Sequence, residues 1–395
     1  MPLESNTVYG TTSSNTSPEV RQVAIFQYRL LHYRTKLFDL LRVACLERGV
    51  ELNVVHGHAT RRELTKRDEG TLGWARVVRN CYFEFGGRDL IWQPFPKGLK
   101  HACLVIVMQE SRILSNYPLL FGRLVSRRKV AYWGHGKNFQ SDRPRGLRER
   151  WKSFLLKRVD WWFAYSQTTV DILRQAGYPE SQITCLDNAI DTSSFKTDLA
   201  SWSTPALEIA RQRYGIAHTA RVGLFCGSLY ADKRLGLLIE ASDLIKRTLP
   251  EFVLFVIGDG PSMPEMRAAA QTRPWMHLLG VQTGPAKAMY FRMADVVLNP
   301  GSVGLHIVDA FCSGSVLVTT RGAKHGPEVS YLNDGVNGVF GGETPAGYSQ
   351  SVLGVIENEA RLKEMKRNAL FASERYTLEN MVEQFANGIE AALDS

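Results

Sequence analysis

The sequence predicts an α/β protein built from two doubly wound domains. Three observations carry this. At 395 residues the chain is longer than one hydrophobic core organises, because single cores stop growing at roughly 250 to 300 residues. Apolar runs of strand length alternate with helical stretches along the chain, the pattern of parallel sheets covered by helices. Several of the later runs end in glycine, and beyond the carboxyl ends of parallel strands glycine lets backbone come close to a ligand.

In the first half, residues 23–28, 51–57, 103–108, 129–134 and 160–165 read as strands, and 33–48, 117–127, 147–158 and 168–175 as helices. The strand signal then lapses over 199–215, where Thr204-Pro205 stands in a polar setting, and the domain boundary is placed there. A second series follows, with strands or strand ends at 222–227, 252–260, 275–280, 295–301, 315–320 and 337–342. In the last segment Met381, Phe385, Ile389 and Leu393 recur at helical spacing. The expected organisation is a disordered tail over 1–20, an N-terminal domain over 21–200, a C-terminal domain over 216–375, and a final helix over 376–395 that packs back toward the N-terminal domain.

Composition narrows the class. No apolar run approaches the roughly 18 to 20 residues that cross a bilayer. The first twenty residues are polar and lack the apolar stretch of a secretory signal. Six cysteines lie far apart without a C-x-x-C pair, as reduced thiols do, which points to a cytoplasmic protein. Positive charge is concentrated early: residues 1–200 hold 30 Lys and Arg against 19 Asp and Glu, and the remainder 18 against 20. The segment 143–158 mixes seven cations with Trp151, Phe154, Leu155 and Leu156, so it reads either as a solvated helix or as a peripheral contact with the inner face of an anionic membrane. His56 and His58 have no third ligand nearby and read as surface residues. No nucleic-acid recognition motif accompanies the basic half.

Three constellations in the second half carry chemistry. GSLYADKR (227–234) follows a buried strand. Its turn at Gly227 and Ser228, then Lys233 and Arg234 at a helix start, aims backbone donors and positive charge at one place, which suits a diphosphate. GDGP (258–261) shapes a turn and is not a G-x-G-x-x-G fingerprint. In the third, 295–320, a strand ends at Asn299-Pro300 and a turn carries Gly301 and Gly304. A helix from about Leu305 then places Asp309 near its first turn, where a carboxylate can accept hydrogen bonds from ribose hydroxyls.

The order GSLYADKR, VLFVIGDGP, HLLG, MADVVLNPG, GLHIVDAFCSGSVLVTT and PEVSYLNDGVNGVF resembles the donor half of the retaining GT-B glycosyltransferases of glycosyltransferase family 4 (glycosyl transferases group 1). A looser likeness runs through YRLLHYRTKLFDLL, YWGHGKN and NAIDTSSF in the first half. The resemblance implies a GT-B fold of two Rossmann-like, doubly wound domains facing across a cleft. It implies that Lys233 neutralises a donor diphosphate, that Asp309 holds the ribose as the second acid of a Glu-x7-Glu motif, and that Gly304 and Leu305 offer N–H groups. It further implies that His135 faces the donor sugar and that Glu328 belongs to the donor site. Three positions depart from the pattern: Ser228 replaces the usual Arg, Gly301 stands where the first motif acid falls, and Asp309 is one methylene shorter than Glu.

The implied reaction moves a sugar from a nucleotide-sugar to a glycan, lipid-linked or small-molecule acceptor with retention of configuration. Cations and helix N–H groups would stabilise the leaving diphosphate. No Asp-x-Asp motif occurs, so neither a metal nor a cofactor is expected. The rival readings are an inactive nucleotide-binding GT-B-like protein, which would explain Gly301, and a nucleic-acid-binding protein, which would explain the charge.

Overall fold

A computed structural model describes residues 20–395 other than 61–62, 64–67, 87, 124 and 137–153. The expected tail up to residue 19 and the basic segment up to residue 153 therefore lie outside the described residues.

Two parallel sheets organise the chain. The first contains β1 (Arg21–Gln27), β2 (Val50–His56), β3 (Arg76–Val77), β6 (Leu104–Met108), β7 (Lys129–Gly134), β8 (Trp161–Ala164) and β9 (Ile183–Cys185), in the order β3-β2-β1-β6-β7-β8-β9. A separate antiparallel ribbon, β4 (Cys81–Phe85) with β5 (Arg88–Trp92), projects from it. The second sheet is β12-β11-β10-β13-β14-β15, formed by β10 (Val222–Cys226), β11 (Val253–Ile257), β12 (Met276–Gly280), β13 (Val296–Leu298), β14 (Val316–Thr320) and β15 (Gly338–Gly341).

The strands are apolar at nearly every position because both faces of each sheet are covered. Along β1, Val23 and Ile25 join one core cluster while Ala24 and Phe26 join the opposite one. Along β10, Leu224 and Phe225 divide in the same way.

The helices of the first half are α1 (Thr35–Glu47), α2 (Asn116–Gly122) and α3 (Gln167–Gln175), followed by α4 (Ser193–Ser201) and α5 (Thr204–Arg213). Those of the second half are α6 (Leu235–Thr248), α7 (Met263–Ala270), α8 (Gly284–Met293), α9 (His306–Cys312), α10 (Pro345–Ile356), α11 (Glu359–Arg375) and α12 (Leu378–Asp394). None of the described helices is long and apolar enough to cross a membrane.

The stretch 199–215, read as a domain boundary where the strand signal lapses, contains a helix. The Ser203 hydroxyl accepts from the Ala206 N–H and Pro205 occupies the first turn of α5, so a Ser-x-Pro sequence that looks like a linker is a helix start. Helix α4 packs on α8 through Phe195 against the edge of Phe291, at 5.3 Å between ring centroids. Phe195 and Leu199 of α4 thus belong to a core cluster of the second sheet. Helix α12 lies on α1, where Phe385 packs against Trp133 and Phe163 at 5.1 and 4.6 Å.

His56, read as a surface residue, is buried at the end of β2 with Nδ1 beside the Gly57 carbonyl, whereas His58 is exposed. The strand pattern runs through His56, and position in the sheet overrides its polarity. All six cysteines are free. Cys45 and Cys312 are buried, and Cys81 and Cys103 are exposed.

Candidate functional site

In a doubly wound sheet the ligand crevice opens where neighbouring strands send their connections to opposite faces. In the C-terminal sheet that point lies between β10 and β13, since β10 pairs with β11 on one side and β13 on the other. The two loops leaving those strand ends are 227–234 and 299–305, which hold most of the residues singled out in the sequence.

These loops are knitted together. The Gly227 N–H donates to Ile257 O at 3.0 Å and the Leu229 N–H to Asp259 O at 2.9 Å, which fastens the first loop to the GDGP turn. A Cβ on Gly258, at φ +139°, would lie 1.9 Å from Gly227 O, so the GDG sequence is there to let two backbones touch. The second loop closes on the first through Ser302 N–H to Asp232 O at 2.8 Å. A Cβ on Gly301 would stand 2.3 Å from Asp232 O and from Lys233 Cα. Position 301 therefore has no room for any side chain, and the absence of the first motif acid is built into the loop packing. At Gly304, by contrast, a Cβ would meet nothing within 4 Å, so the backbone there faces open space.

Lys233 ends a short 3-10 turn (Ala231–Lys233) and is buried. Its ammonium donates to Ser302 O, and among the described residues no carboxylate forms an ion pair with it. Burial pushes its pKa down to about 8, only partly countered by Cys226 and Asp232. Arg234 follows in the left-handed region at φ +53°, a conformation unusual for a side chain this large. Its Nη1 is held by Glu343 at 2.6 Å and by Thr320 Oγ1 at 2.7 Å, and that hydroxyl donates in turn to Pro300 O. Arg234 thus braces the second loop and is already paired. Ser228 is exposed.

Asp309 is buried on α9, and it does not stand alone: Lys287 Nζ of α8 lies 2.7 Å from its Oδ2. Burial raises the Asp309 pKa while Lys287 opposes the rise. Lys287 also sits over the rings of Phe195 and Phe291, at 4.7 and 5.7 Å. The sequence reading missed this lysine. It shares a helical face with Phe291 four residues on, a lone cation on an apolar face, which is the pattern of a lysine with a buried partner.

His306 opens α9 close by. The Asn299 amide donates from Nδ2 to Ser302 O and also lies 2.7 Å from His306 Nε2, while the Gly304 N–H points at His306 Nδ1 at 3.5 Å. Burial, then Lys233 and Lys287, hold this imidazole well below its usual pKa and neutral. His325 supports the loop from behind, accepting from the Val303 N–H at Nδ1 and donating from Nε2 to Thr320 O. Lys233, Lys287, Asp309 and His306 therefore form one electrostatic cluster around the two loops, and Cys226 feels the first three of them.

The remaining residues gather on the other side. His135 follows β7, stacks on Tyr165 with 4.2 Å between centroids, and keeps its edge open to solvent. Surrounding protein and the nearby Arg34 charge hold its pKa below the usual imidazole value. Arg34 is buried, with its guanidinium 4.3 Å from the Trp133 ring centroid and donating to Tyr165 Oη at 2.5 Å and Gln27 Oε1 at 2.9 Å. The sequence reading passed over it inside YRLLHYRTKLF. Glu328 is buried and accepts from Asn188 Nδ2 at 2.7 Å, while Tyr331 Oη donates to Asn188 O at 3.0 Å. Burial raises the Glu328 pKa, and Asn188 and Arg34 counter it. These contacts tie the NAIDTSSF run to the C-terminal half. No hydrogen bond or ion pair among the described residues links His135 to Lys233 or Asp309.

Two parallel doubly wound sheets are the architecture of the GT-B fold. Residues 220–358 match the family model described as glycosyl transferases group 1. A curated relative, the alpha-monoglucosyldiacylglycerol synthase of Acholeplasma laidlawii, is 20% identical over 206 residues, 51% of this chain and 50% of the relative. The match thus spans about half the length of that protein. Among solved structures, Anabaena Alr3699/HepE in complex with UDP superposes with a TM-score of 0.66 at 17% identity, covering 94% of this chain and 99% of that one. A glycosyltransferase from Rickettsia africae ESF-5 gives 0.66 at 13% identity, covering 95% and 99%. WaaG, a glycosyltransferase involved in lipopolysaccharide biosynthesis, gives 0.58 at 14%, covering 92% and 98%. At these identities the likeness is one of fold.

Proposed function

We propose that the chain transfers a sugar from a nucleoside diphosphate sugar, with uridine as the base, to a glycan or lipid-linked acceptor. The observation that carries this reading is Lys233, a buried ammonium with no ion-pair partner among the described residues, set between two loops at the β10–β13 switch point. A cation held out of water without a counterion is unfavourable by itself and becomes favourable when an anion arrives. The Gly304 backbone faces open space beside it, where a phosphate or sugar oxygen can approach. Uridine is supported by the Anabaena neighbour, whose structures contain UDP and UDP-glucose.

In this reading the bond between the anomeric carbon and the diphosphate breaks, and its electron pair moves onto the leaving phosphate oxygen. Lys233 stabilises the charge developing there. Asp309 exchanges part of its bond to Lys287 for ribose hydroxyls, and Lys287 turns toward the diphosphate. Retention follows from front-face attack: the acceptor oxygen bonds to the anomeric carbon on the side the diphosphate leaves, and the acceptor proton passes to the departing phosphate oxygen. His135, reached when the halves close, contacts the donor sugar, and Glu328 holds the closing surfaces in register through Asn188. The cations perform the work a divalent metal would do, and the protein acts in the cytoplasm.

One specific observation favours a second reading, that of a nucleotide-binding protein without turnover: Gly301 excludes the acid that resembling enzymes carry there. A thermal-shift screen against UDP, GDP, ADP and their sugar conjugates, followed by measurement of UDP release, separates the two. Stabilisation by UDP and a UDP-sugar with acceptor-dependent UDP release supports transfer. Stabilisation without release supports the second reading, and no stabilisation by any of them refutes both.

A further inference from the structure

The edge of the first sheet opposite the crevice holds a cavity that sugar transfer does not use. Its volume is about 340 Å³, and it lies among Arg123, Lys129, Lys157, Asp160, Tyr178 and Ser395. Lys129 opens β7, Asp160 immediately precedes β8 and Gln182, also in the wall, immediately precedes β9. The cavity therefore sits at the amino ends of these strands, whereas His135 follows the carboxyl end of β7. The 6 residues of β7, at about 3.3 Å each, put the two roughly 20 Å apart.

The wall is shaped to keep the space open. Gly177 lies in the left-handed region at φ +73°, and a Cβ there would come within 3.2 Å of the Lys157 ammonium, so glycine leaves room for that nitrogen. Tyr178 is buried, and its hydroxyl donates to Val159 O at 3.1 Å, which ties its polar end into the wall. The charges do not cancel. Asp160 is engaged within the wall, since Oδ2 accepts from the Val130 N–H at 2.8 Å and Oδ1 lies 3.2 Å from Arg123 Nη1. That Nη1 is shut off from solvent and donates no hydrogen bond among the described residues. Lys129 Nζ meets Ser395 O at 2.8 Å and Leu393 O at 3.3 Å, and among the described residues Lys157 forms no ion pair. Around the rim, residues 123–129, 157–160 and 177–182 bring six cations against Asp160 and Glu180, and Glu180 is already held by Arg174. Arginine and lysine arriving from separate segments match an anion that presents oxygens in several directions, as a phosphate does and a single carboxylate does not.

We propose that this cavity is a second anion site, which takes the phosphate or diphosphate group of a soluble ester between Arg123, Lys129 and Lys157. It stands whether or not the crevice takes a nucleotide-sugar. The test is isothermal titration of the full chain with pyrophosphate, made with UDP at saturation and again in Lys233→Met without UDP, so that the donor crevice is filled in one case and altered in the other. Both are expected to bind one pyrophosphate per chain with a dissociation constant at or below about 1 mM. Lys157→Glu, at an exposed position, is expected to weaken this binding at least about tenfold, and Lys157→Ala about threefold. Should the charge reversal disturb folding, Lys157→Ala carries the test. Wild-type affinity in both Lys157 variants would overturn the proposal, as would absence of binding at about 5 mM pyrophosphate. Binding abolished by both UDP and Lys233→Met would place the anion in the donor crevice instead and overturn it too. Vesicles containing phosphatidylglycerol separate the remaining source of phosphate: their binding, lost in Lys157→Glu by a chain that takes up no pyrophosphate, would assign the cavity to a lipid headgroup and refute a soluble ligand.

Discussion

Replacing Lys233 by Met separates a site built for an anion from an ordinary structural lysine. Burial lowers the Lys233 pKa from 10.5 to about 8. At pH 7 the folded protein therefore holds a charged group at a cost of about 3 kcal/mol relative to the unfolded chain, taking about 1.4 kcal/mol per pH unit. Methionine has similar length and no charge. Its introduction leaves Ser302 O with the Asn299 amide as donor at 3.0 Å, so no buried carbonyl is stranded. After discounting the lost ammonium hydrogen bond, the variant is expected to be more stable at pH 7 by about 1 to 3 kcal/mol. The sign also fixes a pH signature. Between the folded value near 8 and the unfolded value near 10.5 the unfolded chain binds more protons, so wild-type stability rises with pH and the advantage of the variant closes across that window. Urea unfolding at pH 7 and pH 10, with UDP affinity measured in parallel, reads all three quantities. A variant that is less stable at pH 7 and binds UDP as tightly as the wild type would refute the reasoning.

Other perturbations test the neighbouring contacts. Gly301→Ala places a methyl group 2.3 Å from the backbone of Asp232 and Lys233, so UDP affinity is expected to fall at least about tenfold, with a stability loss of about 1 to 3 kcal/mol by urea unfolding. Lys287→Met leaves the buried Asp309 carboxylate unpaired and is expected to destabilise by about 3 to 5 kcal/mol at pH 8. That loss is smaller at pH 5, because the raised Asp309 pKa lets the folded variant take up a proton; an equal loss at both values would count against the pairing. Asp309→Asn is expected to weaken UDP binding about tenfold while deoxyuridine diphosphate is affected less, a difference that competition titration reads directly.

Much of the fold was legible because buried parallel strands announce themselves. The runs at 129–134 and 315–320 lie within a residue of β7 and β14, since a strand covered on both faces carries a continuous apolar stretch, VAYW in the first and VLV in the second. What escaped were elements whose signal is tertiary. The ribbon 81–92 has no buried outer face to impose alternation, so CYFEF and RDLIW carry no clear period. Helix α5 hid behind its own cap. At the candidate site, the turns and Lys233 could be read from glycine and charge following a strand. Lys287, His306 and Arg34 could not, because their roles come from partners that the fold brings in: Asp309 is 22 residues from Lys287, and Tyr165 is 131 from Arg34. The structure also gives a reason for Gly301 that sequence could not supply, since the obstructing atoms belong to the other loop.

The most direct measurement is isothermal titration of the wild-type protein with UDP at pH 8, repeated in buffers of different ionisation enthalpy. Because Lys233 has a pKa of about 8 in the free protein, a diphosphate beside it is expected to bind once per chain and to draw in about half a proton, with less uptake at pH 7. Saturable binding without proton uptake would place the nucleotide away from Lys233, and absence of binding would remove the pocket on which the proposed reaction stands.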